Sequence, residues 1–457
     1  MASSRIQVDH VARIEGHGNI HIQIADGKLE RVALEVVEPA RLFNAIVQGR
    51  SFHEISYIAS RICGICSSSH VITNLRAIEA IFGIVPSDRT NMLRELLVYG
   101  SYLQNHATHL FMFALPDYFC ESSVFPFSQT HPHLYQGGLE LKRMGNRLCT
   151  CIGGRSVHPI TAVIGGFTSE ISPREYKALA EELESHIDFA CETVDLFAHL
   201  TFPDFDTQGD LLAMQSSKES SYAVSLANYD EDLEIYPIVQ GDSCTLLRSQ
   251  LSFSTQNFFD YIEEYEVAHG AAKFCRPKNT LTEFSSKTQD NPRNFTSYMA
   301  SPLARLNTSW SKLSKRAKVA AAKASIRPPK YNPYLNNIAQ AIELVDCLER
   351  CAYLCRVLAE GEGTSTPAPF EVRSGSSIGY TEAPRGALFH HLELDEAGCV
   401  VDAHIVTPTA QNLANLEADM RILAQNLLDA GSPELSLKRE IEKLVRAYDP
   451  CLSCSVH

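Results

Sequence analysis

The 457-residue sequence contains no long apolar run. A membrane-spanning helix needs about 18 or more consecutive apolar residues, and no stretch reaches that, so no transmembrane segment is predicted. A secretory leader is missing too. Met1 to Asn19 is polar, carries charge early, and has neither an apolar core nor a small-residue cleavage site. A cytoplasmic location is therefore expected, unless a partner with its own signal exports the chain in complex. Positive charge is in short supply: 40 Lys and Arg stand against 54 Asp and Glu, a net −14. That balance argues against nucleic acid or an anionic membrane surface as the main partner. No internal repeat, low-complexity linker or clear break divides the chain.

What is present reads as a soluble globular protein, 45% hydrophobic and 21% charged. Length alone allows two or three domains or one large helical body. Residues up to Val36 alternate apolar and polar, with "ADGK" as a hairpin signal, and read as strands. Beyond Glu38 the spacing becomes helical. Asn91 to Phe119 reads as one long helix or two. Another helix is predicted after Ser172 as N-cap, with Pro173 at its first position. The middle of the chain, from Phe202 to Leu251, is poorer in helix and includes the strand-like "SYAVSLANY". Tyr331 to Gly361 is helical again. Phe370 to Pro408 reads as strands and turns, and a last helix precedes the C-terminus. The expected class is mainly α with a small N-terminal β-sheet (α+β). One domain over 1–457 is expected, with a β region at 1–37, a mostly helical body at 38–370 and a C-terminal region at 371–457.

Fourteen cysteines are many for a reducing compartment, where disulfides are rare, so a clustered subset points to metal or catalysis. Two C-x-x-C pairs stand out: Cys63 with Cys66 in "RICGICSSSH", and Cys451 with Cys454 in "DPCLSCSVH". The spacing lets two thiolates converge on one ion, and four thiolates suit soft metals. From the pairs alone a structural four-cysteine zinc site and a redox metal are both open, with a redox disulfide as a third option. Ordinary zinc modules keep their pairs closer together than these.

The flanking residues add information. "R-x-C-G-x-C-x-x-x-H" near the start and "D-P-C-x-x-C-x-x-H" at the end resemble the two motifs of nickel–iron hydrogenase large subunits. "RIEGHG" (13–18), "GGRSVHP" (153–159), "SPLARLN" (301–307), "EAPRG" (382–386) and "VTPTAQN" (406–412) resemble further blocks of that family. "LSCSVH" and "ALPDYF" look most like its cytoplasmic, cofactor-coupled branch.

The resemblance implies a catalytic subunit that splits hydrogen reversibly and heterolytically at a nickel–iron centre. The iron would carry carbon monoxide and two cyanide ligands. Cys63 and Cys451 would bind nickel terminally, while Cys66 and Cys454 would bridge the metals. Cys454 would accept the first proton and Glu15 would take it next. By itself Glu15 reads as a surface carboxylate on an edge strand. Arg385 would lie over the metals, held by Asp117 and Asp449, and Thr409 would donate to a cyanide. His70 would hydrogen-bond a bridging thiolate. Electrons would leave through an iron–sulfur small subunit, because no ferredoxin pattern occurs here. Flavin or ferredoxin-linked subunits would follow.

The resemblance also implies a magnesium ion near the C-terminus, bound by His457, the carbonyl of Ile405 and a side chain at position 44. The family usually has glutamate there; this sequence has Asn44, a neutral ligand. The family removes a C-terminal extension after the position of His457, so the sequence reads as the mature form or one made without an extension. Cys347, Cys351 and Cys355 fall on one helix face and read as packing. Cys149 and Cys151 read as structural, and His106 and His109 as core or supporting residues. Two alternatives share much of this pattern: a hydrogen sensor with the same site, and the zinc protein. Quinone-site scaffolds of the same fold lack the cysteines.

Overall fold

The computed structural model describes residues 4–40, 42–215, 222–223, 234–235, 241–278 and 295–456. It opens with an antiparallel sheet of β1 (Ser4–Val8), β2 (Gly18–Ala25) and β3 (Lys28–Val36). Burial alternates along β2, placing Ile20, Ile22 and Ile24 inward. Asp26 and Gly27 connect β2 to β3 with φ of 50° and 75°. Two left-handed residues are what a tight hairpin turn requires, and Asp-Gly supplies them.

Helices follow. Short α1 (Phe43–Val47) precedes α2 (Phe52–Ala59), which begins in a capping box between Ser51 and Glu54. A 3-10 turn at Ser60–Ile62 delivers Cys63, and Cys66 caps α3 (Ser67–Phe82). The predicted long helix is α4 (Asp88–Thr108), running through a π-helical segment (His109–Ala114) into α5 (Leu115–Tyr118). Such π segments widen a helix locally and often accompany functional sites.

Two long helices escaped the sequence reading. One is α6 (Pro132–Gly153), packed along α4. A Cβ at Gly145 would stand 2.7 Å from the Gln104 nitrogen and the Gly100 carbonyl oxygen, so the two backbones meet through glycine. The predicted helix after Ser172 forms with its capping box but divides at His186 into α7 (Pro173–Ser185) and α8 (Ile187–Ala198). Between residues 210 and 300 lies a mixed sheet rather than helix. Its strands are β4 (Asp210–Gln215), β5 (Ser243–Leu246), β6 (Leu251–Ser254) and β7 (Tyr298–Ala300), in the order β6-β5-β4-β7. Most of "SYAVSLANY" lies outside the described residues; only Tyr222–Ala223 is described, as a short strand.

Next come α9 (Pro302–Ser309) and α10 (Asn336–Glu360), a central helix buried along nearly its whole length. Cys347, Cys351 and Cys355 are buried on α10 within the main hydrophobic cluster, as predicted. The antiparallel strands β8 (Gly375–Ala383), β9 (Gly386–Leu394) and β10 (Val400–Val406) then form. The second unforeseen helix, α11 (Pro408–Asp429), follows, and α12 (Glu434–Ala447) leads to the final turn. One hydrophobic cluster runs from Ile6 to Val456, so both ends of the chain enter the same core. The architecture is mainly helical with small sheets, and among the described residues no helix is long and apolar enough to cross a membrane.

Candidate metal centre

The first cysteine pair comes from the turn before α3. The second comes from the turn after α12, where Asp449 takes a φ of 48°. That turn meets the N-terminal segment: Glu15 forms a parallel bridge with Cys451, and the Leu452 N–H donates to the Glu15 carbonyl at 2.9 Å. The outcome is a buried cluster. The four sulfurs of Cys63, Cys66, Cys451 and Cys454 lie within 4.8 Å of one another. Cys63 Sγ is 3.5 Å from Cys451 Sγ, and Cys66 Sγ is 3.4 Å from Cys454 Sγ.

Four thiols this close cannot all behave alike. Hydrogen bonds from Cys451, Cys454 and Cys66 draw the Cys63 thiol well below its ordinary value. Burial, and hydrogen bonds donated to its neighbours, push Cys454 well above it. A closely packed set of thiols, some already poised to ionise, is a soft-metal donor set.

The surrounding polar groups are ordered around this cluster. Glu15 Oε2 is 3.0 Å from Cys451 Sγ, and Ser453 Oγ donates to Glu15 Oε1 at 2.5 Å. Burial raises the Glu15 carboxyl to about 7, and Cys451 adds to the rise. Arg385 occupies the two-residue turn between β8 and β9. Its Nε donates to the Asp449 carbonyl at 2.7 Å, and its Nη2 pairs with Asp449 Oδ1 at 3.0 Å. Asn105 and Gln340 donate to Asp449 Oδ2 at 2.7 and 2.9 Å. Burial opposes both charges, but each ion outweighs that cost for the other.

Arg385 Nη1 is buried and has no hydrogen-bond partner among the described residues. It lines a small cavity with Cys66, His70, Thr409, Cys451 and Cys454. An unsatisfied cationic donor is costly in a buried space. A group bound on the four sulfurs and carrying an acceptor on this side would satisfy it. The donor set and the orphan donor together fit a metal centre with acceptor ligands, more closely than a bare zinc ion on four cysteines.

A family model described as nickel-dependent hydrogenase matches residues 41–125 and 337–457, and one described as HoxL-like matches 5–38. The sulfhydrogenase 1 subunit alpha of Pyrococcus furiosus is 32% identical over 99% of this chain and 97% of its own length. This chain belongs to the nickel-dependent hydrogenase family. Among its other relatives, the NAD-reducing hydrogenase HoxS subunit beta of Cupriavidus necator is 28% identical, covering 100% of this chain and 95% of that one. An NAD+-reducing [NiFe]-hydrogenase crystal structure superposes with a TM-score of 0.81 at 24% identity, covering all of both chains. At that identity the superposition establishes the fold. The chain is a nickel–iron hydrogenase large subunit, most like the cytoplasmic, cofactor-coupled branch, and an oxidoreductase acting on hydrogen.

Within this hydrogenase the predicted residues fall as follows. Cys63, Cys66, Cys451, Cys454, Glu15, Arg385, Asp449 and Thr409 converge on one site. Thr409 Oγ1 accepts from the Cys451 N–H at 3.0 Å. His70 lines the cavity, with its Nδ1 3.0 Å from His390 Nε2, a neighbour the sequence did not indicate.

Two expectations need correction. Asp117 does not hold Arg385: its carboxylate is taken by Arg446, at 2.5 Å from Nε and 3.1 Å from Nη2, and by Arg13. The π segment and α5 carry it to the N-terminal side of the site, where Arg13 and the Ala12 carbonyl meet Arg446. The thiol facing Glu15 is Cys451, not the expected first acceptor Cys454, because the Glu15–Cys451 bridge sets their side chains together.

For the cation, Asn44 Oδ1 is buried and lacks a hydrogen-bond partner among the described residues. Asn44 lines a cavity of about 440 Å³ together with Glu264, Lys273, Ser455 and Val456. Ile405 is buried beside Phe43 and the metal cysteines, and His457 lies outside the described residues. An orphan amide oxygen in a cavity with a carboxylate fits a hard cation.

Proposed function

We propose that the thiolates of Cys63, Cys66, Cys451 and Cys454 would together hold a nickel–iron centre. The convergence of four sulfurs beneath the unpartnered Arg385 Nη1 carries this reading. The centre, when bound, supplies the redox-active site at which dihydrogen is split. Carbon monoxide and two cyanides on iron would give Arg385 Nη1 and the Thr409 hydroxyl their acceptors.

The residues of this chain then move the proton. The Cys451 thiolate accepts it, and Glu15 Oε2, 3.0 Å away, takes it onward. Ser453 Oγ, donating to the other carboxylate oxygen, holds Glu15 in that orientation. Asp449 fixes the Arg385 guanidinium, and His70, backed by His390, supports the thiolate side of the cavity. Electrons leave to an iron–sulfur subunit, and from there to flavin or ferredoxin-linked subunits. Exposed Tyr57 and Ile160 line one surface cavity, and exposed Val157 lies against Gly64 in the Cys63–Cys66 turn, apolar surface that suits such a docked partner. None of the fourteen cysteines is paired in a disulfide, which favours a reducing, cytoplasmic setting. Magnesium, held by Asn44, the Ile405 carbonyl and His457, would tether the C-terminal turn. The whole chain 1–457 acts as one unit in this reading.

The test is metal analysis and infrared spectroscopy of the purified complex. One nickel and one iron per chain, with carbon monoxide and cyanide bands, are expected. Stoichiometric zinc without those bands would end the proposal.

A further inference from the structure

A second buried charged network stands behind the metal cavity. Its centre is Arg305 on α9, only 2% exposed. Arg305 Nε donates to Glu343 Oε1 at 2.7 Å, and Nη2 to Glu343 Oε2 at 2.8 Å. Nη1 donates to Glu382 Oε2 at 3.0 Å. The two remaining donors end on main chain: Nη1 on the Ala383 carbonyl at 2.9 Å and Nη2 on the Pro384 carbonyl at 2.7 Å. These are the two residues immediately before Arg385. The preceding carbonyl, that of Glu382, accepts from Tyr102 OH at 3.1 Å. Three successive carbonyls leading into Arg385 are therefore tied down. On the far side, a Cβ at Gly386 would come within 2.4 Å of the Ala300 carbonyl oxygen, so the turn is pinned there as well.

The network mirrors the one that grips the Arg385 side chain. Asn105 on α4 and Gln340 on α10 hold Asp449, which holds the guanidinium. The adjacent His106 on α4 donates from Nε2 to Glu343 Oε2 at 2.8 Å, one turn beyond Gln340 on α10, and Glu343 holds Arg305. The same two helices thus grip Arg385 at both ends, its head through Asp449 and its backbone through Arg305. A planar guanidinium with five donors can serve a carboxylate and two consecutive carbonyls at once; a lysine ammonium cannot. A buried ion network of this kind is poor value for stability alone, since well-packed apolar residues often do as well.

We propose that Arg305, clamped by Glu343, is a positioning residue that fixes the turn carrying Arg385 and so aims Arg385 Nη1 into the cavity above the four sulfurs. The inference rests on the reading of Arg385 given above. A misplacement of about 1 Å at such a group can cost roughly 100-fold in rate.

The experiment is a double-mutant cycle in the assembled complex, using Arg305→Lys and Arg385→Lys, with metal content and infrared spectra recorded for each. Arg305→Lys is expected to keep nickel and iron, to shift the cyanide bands, and to lower turnover by about 10- to 100-fold. In the Arg385→Lys background the same change is expected to alter turnover less than about twofold, because the residue it positions is gone. Equal losses in both backgrounds, or unshifted bands with normal turnover in Arg305→Lys, would overturn the proposal. Glu343→Gln, which keeps the shape and weakens the grip, is run in the same cycle and should behave alike. Loss of metals in both Arg305→Lys and Glu343→Gln would also overturn it, since the network would then serve assembly. Full activity and unchanged bands in Arg385→Lys alone would instead remove the reading beneath it.

Discussion

The Glu15 carboxylate and the Cys451 thiol meet at 3.0 Å although 436 positions separate them. The contact is built from backbone as well as side chains, since Glu15 and Cys451 share a parallel bridge and Leu452 N–H binds the Glu15 carbonyl. The two ends of the chain therefore close on each other at the site. A proton acceptor held this way needs no reorganisation to receive a proton.

Replacing Glu15 with glutamine should expose that role. The amide has nearly the same size but carries no proton at neutral pH. Nickel and iron contents should stay at wild-type levels. Hydrogen–deuterium exchange and hydrogen oxidation should fall by roughly 10²- to 10⁴-fold, the usual range for loss of a general acid–base group. The exchange rate of the purified complex decides it: an unchanged rate would put the proton route elsewhere.

Asp117 offers a contrasting test. It stands between Arg446 and Arg13, and Arg13 lies two residues before Glu15. Asp117→Asn would leave two guanidiniums facing each other with Glu442, 3.1 Å from Arg446 Nη2, as the remaining counterion. With the three side chains 2–14% exposed, the expected loss is about 2–4 kcal/mol of stability, read from thermal melts. Exchange should slow as the Glu15 loop loosens. The cyanide bands should stay in place, because Arg385 is held by Asp449 instead. Shifted bands would return Asp117 to Arg385, as the sequence first suggested.

How far the sequence reached depended on the range of each interaction. Two C-x-x-C pairs announce themselves because two thiolates on one turn are a local pattern. Glu15, Arg385 and Asp449 carry no such pattern and were legible only through the family motifs around them. The partner of Asp117 was misassigned because an ion pair across 329 positions is chosen by the packing of α5 against α12, which no local spacing records. Helix α6 was invisible for a related reason. Gly137, Gly138 and Gly145 lower its helix propensity, and their purpose appears only in three dimensions. A Cβ at Gly138 would strike Phe111 Cγ at 2.4 Å, and one at Gly145 would strike α4 backbone. Arg305 looked like any arginine in a family block; its partners lie on α10 and in the turn before Arg385, far away in sequence.

Asp419 provides a pH test away from the metal. It is buried on α11, accepting from Thr207 Oγ1 at 3.0 Å, the Gln208 N–H at 3.2 Å and Tyr448 OH at 2.6 Å. Burial raises its carboxyl from 3.8 to about 6 despite these donors. The native state then binds more protons than the unfolded chain between those values. Its contribution is fully present below pH 3.8 and is lost as pH rises through about 6. Relative to Asp419→Asn, the wild-type protein should lose about 1 kcal/mol between pH 5 and pH 7. Melting curves of both forms at the two values measure the difference. Parallel pH dependence in the two would locate the titration at another group.

The cation pocket supplies the last prediction. Asn44 presents a buried, unpartnered amide oxygen to a cavity it shares with Ser455 and Val456, the residues just beyond the metal cysteines. Magnesium favours anionic oxygen, so a neutral ligand at position 44 should weaken binding. Glu264 lines the same cavity, although its Oε2 already lies 2.5 Å from His404 Nε2. Chelation should therefore lower the melting temperature and speed amide exchange over residues 450–456. Asn44→Glu should blunt that sensitivity, with each tenfold gain in affinity adding about 1.4 kcal/mol at saturating magnesium. Glu264→Gln should heighten it if that carboxylate already supplies the missing charge. A variant Asn44→Glu that melts lower than wild type with magnesium present would mean the added carboxylate lacks a counterion. Equal chelator sensitivity in wild type, Asn44→Glu and Glu264→Gln would separate this cavity from the cation altogether.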